Sequence, residues 1–164
     1  MMVSAALAGF ILTAVLSSFL FLGRSGANFR NYSDMESQAR RALELFAEDV
    51  RQASAITWNS AESVTLVVNA ANITYAYNST ARSFSRNGTA IITGITAGSF
   101  TYKAYKVDGT ELPLASAANL TAAGVNTKQL QISLEASRTN QTVVAATNTV
   151  LSARFILRNK IVTA

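Results

Sequence analysis

From Met1 to Gly23 no position is charged and most are apolar: MMVSAALAGFILTAVLSSFLFLG. A helix rises ~1.5 Å per residue, so the stretch reaches about 33 Å, against a hydrocarbon layer of ~30 Å. It is long enough to cross a bilayer. A cleaved signal peptide has a basic start and a shorter apolar core of about 7 to 15 residues, and a core helix of a soluble domain keeps a polar face. This segment has none of these. No helix stop separates it from the next segment, since Arg24 to Ala55 contains no proline and only one glycine, Gly26. Phe29, Tyr32, Met35, Ala39, Leu43, Phe46, Val50 and Ala53 recur at steps of three and four, the period of one helical face. The opposite face is charged: Glu36 and Arg40, then Arg40 and Glu44, stand four apart, and Glu48 and Arg51 three apart, each pair worth a few tenths of a kcal/mol. The pattern predicts one helix of about 55 residues, some 80 Å long, oily all round at first and amphipathic afterwards. Gly9 and the pair Ser17 and Ser18 mark where its first half would loosen.

After Trp58 the period becomes two. Val64, Leu66 and Val68 form one apolar row, Ile73, Tyr75 and Tyr77 a second, and Phe100, Tyr102 and Ala104 a third. The clearest row sets Leu130, Ile132 and Leu134 against Gln129, Gln131, Ser133 and Glu135, as a half-buried antiparallel strand requires. Leu151, Ala153, Phe155 and Leu157 alternate likewise with Ser152, Arg154, Ile156 and Arg158. Turn chemistry lies between rows at Asn78-Ser79, Arg86-Asn87-Gly88 and Asp108-Gly109-Thr110. Residues 107–127, which hold the only proline, Pro113, read as the longest irregular connection. A sheet with one apolar face needs a cover, and the amphipathic helix half supplies it. The fold class is therefore α+β: one long N-terminal helix packed on an antiparallel β-sheet, with Phe29, Tyr32, Met35, Ala39, Leu43, Phe46 and Val50 expected at the helix-to-sheet contact. The expected division is 1–23 as the bare helix half and 24–164 as a globular domain, made of helix 24–55 and sheet 56–164.

Composition narrows the chemistry. The 164 residues include no His and no Cys, which removes imidazole acid–base catalysis, thiol nucleophiles, zinc fingers and disulfides. Serine and threonine have no histidine to activate them, and no glycine loop is built to cradle phosphate. Asp108 and Glu111 are too few for a calcium site. No enzyme, cofactor, metal or small-molecule substrate is expected. Charged residues make up 14% against roughly 25% in an average soluble domain. The net charge of +5 lies wholly beyond Ala55, scattered singly. That permits weak attraction to DNA or anionic surfaces and indicates no dedicated site. Asn-x-Ser/Thr occurs at Asn31, Asn72, Asn78, Asn87, Asn119 and Asn140, where turn chemistry is the simpler account. Trp58, Tyr75, Tyr77, Tyr102 and Tyr105 read as cross-strand packing rather than as a stacking platform.

Specific stretches carry a resemblance. Ser37 to Ser54, SQARRALELFAEDVRQAS, with its Arg-Ala-Leu and Asp-Val-Arg-Gln-Ala, is similar to the helix of the pseudopilin J and minor pilin W group within the type IV pilin family. Ile73 to Gly88, ITYAYNSTARSFSRNG, resembles that group's strand, turn and strand, and Phe100-Thr101-Tyr102 and Arg154-Phe155-Ile156-Leu157-Arg158-Asn159 resemble its later strands. The resemblance implies the type IV pilin fold and a structural subunit of a pilus-like filament, with rods bundled at the centre and sheet domains outside. The rod contacts would then fall to Met1, Val3, Ala5, Ala6, Ala8, Gly9, Phe10, Leu12, Val15, Leu16, Phe19 and Leu20. It implies as partners copies of the chain, other pilins and an assembly machinery, and as location the inner membrane before assembly and then an extracellular pilus or a periplasm-spanning pseudopilus. Two alternatives stand beside this: a minor tip or secretion pseudopilin J-like subunit, and a membrane-tethered module that binds a surface. The family's basic leader, methylated Phe and Thr-Leu-x-Glu are not present; Met1-Met2-Val3-Ser4-Ala5 resembles the residues directly after that glutamate, so the missing ones are expected upstream of Met1. The helix-breaking proline of many pilins is also missing, as is their C-terminal disulfide.

Overall fold

A computed structural model describes residues 2–138 and 147–162. Helix α1 runs without a break over Met2–Gln52, through Ser17 and Ser18, where the sequence suggests loosening. Two hydroxyls fold back instead of competing: Thr13 donates to the Gly9 carbonyl at 2.8 Å and Ser18 to that of Ala14 at 3.0 Å. At its far end Arg51 lies in the last turn, where a cation suits the helix dipole. The Asn159 amide donates to the Gln52 carbonyl at 3.2 Å, satisfying one of the carbonyls that a helix end leaves open.

Five strands come next, in sequence order: β1 (Ala55–Ser60), β2 (Ser63–Val68), β3 (Ala71–Asn78), β4 (Ser83–Arg86) and β5 (Thr89–Thr93), each antiparallel to its successor. A second sheet is built from β6 (Thr101–Tyr105), β7 (Glu111–Leu112), β8 (Gln129–Arg138) and β9 (Thr147–Ile156), in the order β7-β6-β8-β9. The single sheet expected from alternation is thus two sheets, joined at a corner by the bridge of Ile95 with Ala136. Alternation marks which face of a strand is apolar and is silent on its neighbour.

The stretch 107–127 is more ordered than its sequence suggests. It contains β7 and helix α2 (Ala117–Asn126), which Ser116 caps by accepting from the Asn119 N–H. Helix α2 packs on β1. The Lys160 amine donates to the Val125 and Thr127 carbonyls at the other end of α2, at 2.5 and 3.0 Å. Burial, and then the neighbouring Lys128 ammonium, push that amine below the ordinary lysine range.

The core lies where the second half of α1 meets both sheets. Phe46 is fully buried at its centre, with its ring centroid 4.9 Å from Tyr75, 5.7 Å from Phe155 and 6.1 Å from Phe84. Met35, Ala39 and Val50 are buried along the same helix stripe, Ala53 is buried just past the end of α1, and Leu43 is half-buried beside the stripe. The inward rows of β2, β3, β6, β8 and β9 meet them: Val64, Leu66, Tyr75, Tyr102, Leu130, Ile132 and Leu151, with Leu157 buried just past the end of β9.

Two residues assigned to the helix-to-sheet contact do not reach it. Phe29 is 75% exposed and Tyr32 48%. Both precede Met35, the first buried residue of α1. Phe29 is also off the buried stripe: it stands eighteen residues, five whole turns at 3.6 per turn, before Ala47, and therefore on that residue's side of the helix.

Candidate assembly surface

Three parts of α1 make up the surface: a bare rod, a neck and the half held in the head. Val3, Ala5, Ala6, Ala8, Gly9, Phe10, Leu12, Val15, Leu16, Phe19 and Leu20 are all exposed, on every side of the helix; Phe10 is 84% exposed. Met1 lies outside the described residues. No part of the most apolar window is covered by the rest of the chain. The bare stretch from Val3 to Leu22 is about 30 Å long, matched to the ~30 Å apolar layer of a bilayer. Nothing within 4 Å of where a Gly9 side chain would stand explains a glycine there, although glycine weakens a helix interior by about 1 kcal/mol.

The head holds the second half of α1 through a partly buried ionic contact. The Tyr75 hydroxyl donates to Asp49 Oδ2 at 2.6 Å. Arg86 donates from Nε to the same oxygen at 2.8 Å and from Nη2 to Oδ1 at 3.3 Å. One helix carboxylate is thereby tied to β3 and to the end of β4. Burial, and then the hydrogen bond to Asp49, raise Tyr75 well above the ordinary phenol range. The same carboxylate holds the Arg86 guanidinium in its charged form even more firmly than usual. Tyr102, in the same core, is raised mainly by burial. In the sequence Asp49 enters only the charge balance. Its position three residues after Phe46, on the apolar stripe, is the signal that it needs a buried partner.

Elsewhere on α1 a groove of about 620 Å³ runs between the helix and β9, lined by Leu43, Ala47, Ala153 and Phe155 together with Arg40, Glu44, Glu48, Arg51 and Gln52. Leu43, Ala47, Ala153 and Phe155 are half-buried. Glu36 pairs with Arg40 at 2.9 Å; Arg51 has no carboxylate within 4 Å among the described residues.

The other candidates resolve into structure. Trp58, Tyr75, Tyr77, Tyr102 and Tyr105 are buried, and Arg154 covers the Tyr105 ring at 3.8 Å. Asn78 and Asn87 accept backbone N–H groups from Ala81 and Thr74, both at 2.8 Å, as turn residues do. Asn140 lies outside the described residues. Asp108 accepts the Thr110 N–H at 2.9 Å, which lowers its carboxyl below the usual range. Among the described residues no group of three or more acidic, His or Cys side chains gathers to hold a metal.

No known protein family and no curated protein matches the chain. Its geometry is that of an α+β protein with one long N-terminal helix, apolar and bare in its first half and packed on antiparallel sheets in its second, an architecture compatible with a pilin-like fold.

Proposed function

We propose that the chain is a structural subunit of an extracellular pilin-like filament, polymerising through the first half of α1 and performing no catalysis of its own. The observation that carries this reading is the uncovered rod on a helix whose other half is locked into a folded head. Some twenty apolar residues must be sheltered from water by lipid or by other proteins. Rod-to-rod burial on the order of 1,500 Å² per subunit, at about 25 cal/mol per Å², is tens of kcal/mol gross. A standard protein interface buries about 800 Å² per partner. Ala5, Ala6, Ala8 and Gly9 would let neighbouring helices come close, which gives Gly9 the reason it lacks inside the chain. Lipid shelters the rod in the inner membrane before assembly; sister rods shelter it afterwards, in a pilus or in a periplasm-spanning pseudopilus. The partners on this reading are copies of the chain, other pilins and an assembly machinery.

Removing detergent from purified full-length protein tests it. Fibres are expected, and sheared surface filaments from producing cells should contain this chain as their bulk. A trace amount among other pilins would make it a tip or initiating subunit. Single particles after detergent removal, with no fibres on cells, would overturn the reading in favour of a tethered binding module.

A further inference from the structure

We propose that the outer face of the second sheet holds a site for the carboxylate of an acidic polysaccharide, built on the Arg154 guanidinium. The site belongs to the head alone and does not depend on polymerisation.

Leu130, Ile132 and Leu151 face the core, so alternation puts the odd residues of β8 and the even residues of β9 on the face turned away from α1. There Gln131 stands directly across from Arg154, and Ser133 from Ser152. Lys128 accepts the Leu157 N–H, which makes these two pairs the kind without backbone hydrogen bonds between them, where side chains stand closer. Arg154 reaches across β8 and lays its Cζ 3.8 Å over the Tyr105 ring of β6. Its Nε and Nη2 donate to Gln131 Oε1 at 3.2 and 3.1 Å, and the Tyr105 hydroxyl donates to the same oxygen at 3.2 Å. The Gln131 amide nitrogen donates in turn to the Ser152 hydroxyl at 3.2 Å, and the Ser133 and Ser152 hydroxyls share a bond of 2.8 Å. Three strands thereby fix the plane and direction of the guanidinium. An exposed arginine ordinarily loses rotamer freedom when it binds a ligand; this one has lost it beforehand.

Its binding edge remains open. A guanidinium presents five N–H groups in a planar fork, and Gln131 takes only the side that Nε shares with Nη2. The end formed by Nη1 and Nη2 is the one that receives a carboxylate through two parallel bonds. No carboxylate lies within 4 Å of Arg154 among the described residues. Lys103, across from Gln131 on β6, is already paired with Glu111 at 3.2 Å.

The surroundings select the ligand. Gln131, Ser133 and Ser152 are neutral amide and hydroxyl groups, suited to the hydroxyls of a sugar. One unpaired cation is too few for nucleic acid, whose binding neutralises several phosphates. No aromatic ring on this face is open to a base, since Tyr105 is buried beneath Arg154. A protein partner needs an apolar or aromatic centre, and here the exposed apolar residues, Val150 and Ile156, are confined to the edge strand.

The test is a titration of galacturonic acid trimer into the full chain in uncharged detergent micelles, with arginine side chains labelled with nitrogen-15. The Arg154 Nε–H signal, identified by its loss in Arg154→Lys, is expected to move saturably with the trimer and to ignore its carboxyl-reduced, neutral counterpart. Arg154→Lys keeps the charge and loses the fork, and should bind about tenfold more weakly by calorimetry. Gln131 is a positioning residue: Gln131→Ala should weaken binding about threefold and speed exchange of the Arg154 Nε–H with water. Lys103→Ala should stay within about twofold. Trp58 emission reports whether each variant is folded. Equal binding by Arg154→Lys, equal binding of the neutral trimer, or no binding of the acidic one overturns the site. A short DNA duplex held more tightly than the trimer, and lost with Arg154→Lys, would overturn the saccharide in favour of phosphate.

Discussion

At the scale of single residues, the Asp49 carboxylate decides how firmly the rod is mounted. It is buried, with one buried phenol and one half-exposed guanidinium as partners, and a hydrogen bond to a charged group contributes about 1.5–3 kcal/mol. Arg86→Leu, which leaves Asp49 only Tyr75, is expected to cost about 2 kcal/mol, measured by denaturant unfolding monitored through the emission of Trp58, the only tryptophan; a change under about 0.5 kcal/mol, the size of an exposed ion pair, would refute the mounting role. The tyrosines set the response to alkali. Tyr75 and Tyr102 are raised above their ordinary value of 10.0, so the native state keeps protons that the unfolded chain loses. Their stability is fully present below pH 10 and falls as pH rises past it. Lys160 has the opposite sign, because its lowered value lets the native amine shed a proton that the unfolded chain holds up to 10.5. The melting temperature should therefore hold or rise slightly toward pH 10 and drop above 10.5, with a shallower drop in Tyr75→Phe. A level profile to pH 11.5 would contradict this.

Among elements, the turn between β2 and β3 shows a local cost. Val68 pairs with Ala71 across a two-residue turn in which Asn69 has φ 50° and Ala70 φ 64°. Positive φ at both positions marks the hairpin turn that favours Asn-Gly, and an L residue with a side chain is disfavoured there by about 1 kcal/mol. Ala70→Gly is expected to stabilise the head by up to ~1 kcal/mol, seen as a higher denaturation midpoint; destabilisation would mean that the turn is not strained. Helix α2 is hard to read in the sequence for the complementary reason. AANLTAAGVN has no charge and little periodicity, and Ser116 is its one local start signal. What holds it is contact with β1, close enough that a side chain at Gly124 would stand 3.4 Å from the Ile56 carbonyl. The opposite holds for α1, whose two textures are plain in the sequence because each repeats within a few turns.

For the molecule as a whole, rod and head are mechanically joined and energetically separate. Val3 to Gly26 bury nothing against the rest of the chain, so their removal should cost the head almost no stability. A chain beginning at residue 28 is expected to melt within about 2 °C of the full chain in detergent, since a change of 1 kcal/mol moves a domain of this size by about 4 °C. It should also remain soluble without detergent. A fall of more than 10 °C would mean that the rod supports the head, contrary to the geometry. If the rod is the means of polymerisation, such a chain also forms no fibres.

The amino-acid sequence by itself determined the oily rod, the amphipathic continuation of the helix and the rows of alternating strands, because each is a local period set by backbone geometry. It also marked Phe46 and Val50 for burial, since both stand on the helical stripe that a sheet must cover. Tertiary structure alone decided that the strands divide into two sheets, that Asp49 meets Tyr75 and Arg86 across 26 and 37 residues of chain, and that β9 lies against α1 to leave a groove. It decided also that the head leaves Phe29 and Tyr32 uncovered. Helical period states which side of a residue is oily, whereas burial depends on how far along the axis the covering strands extend, and that distance is set by the packing of the whole head.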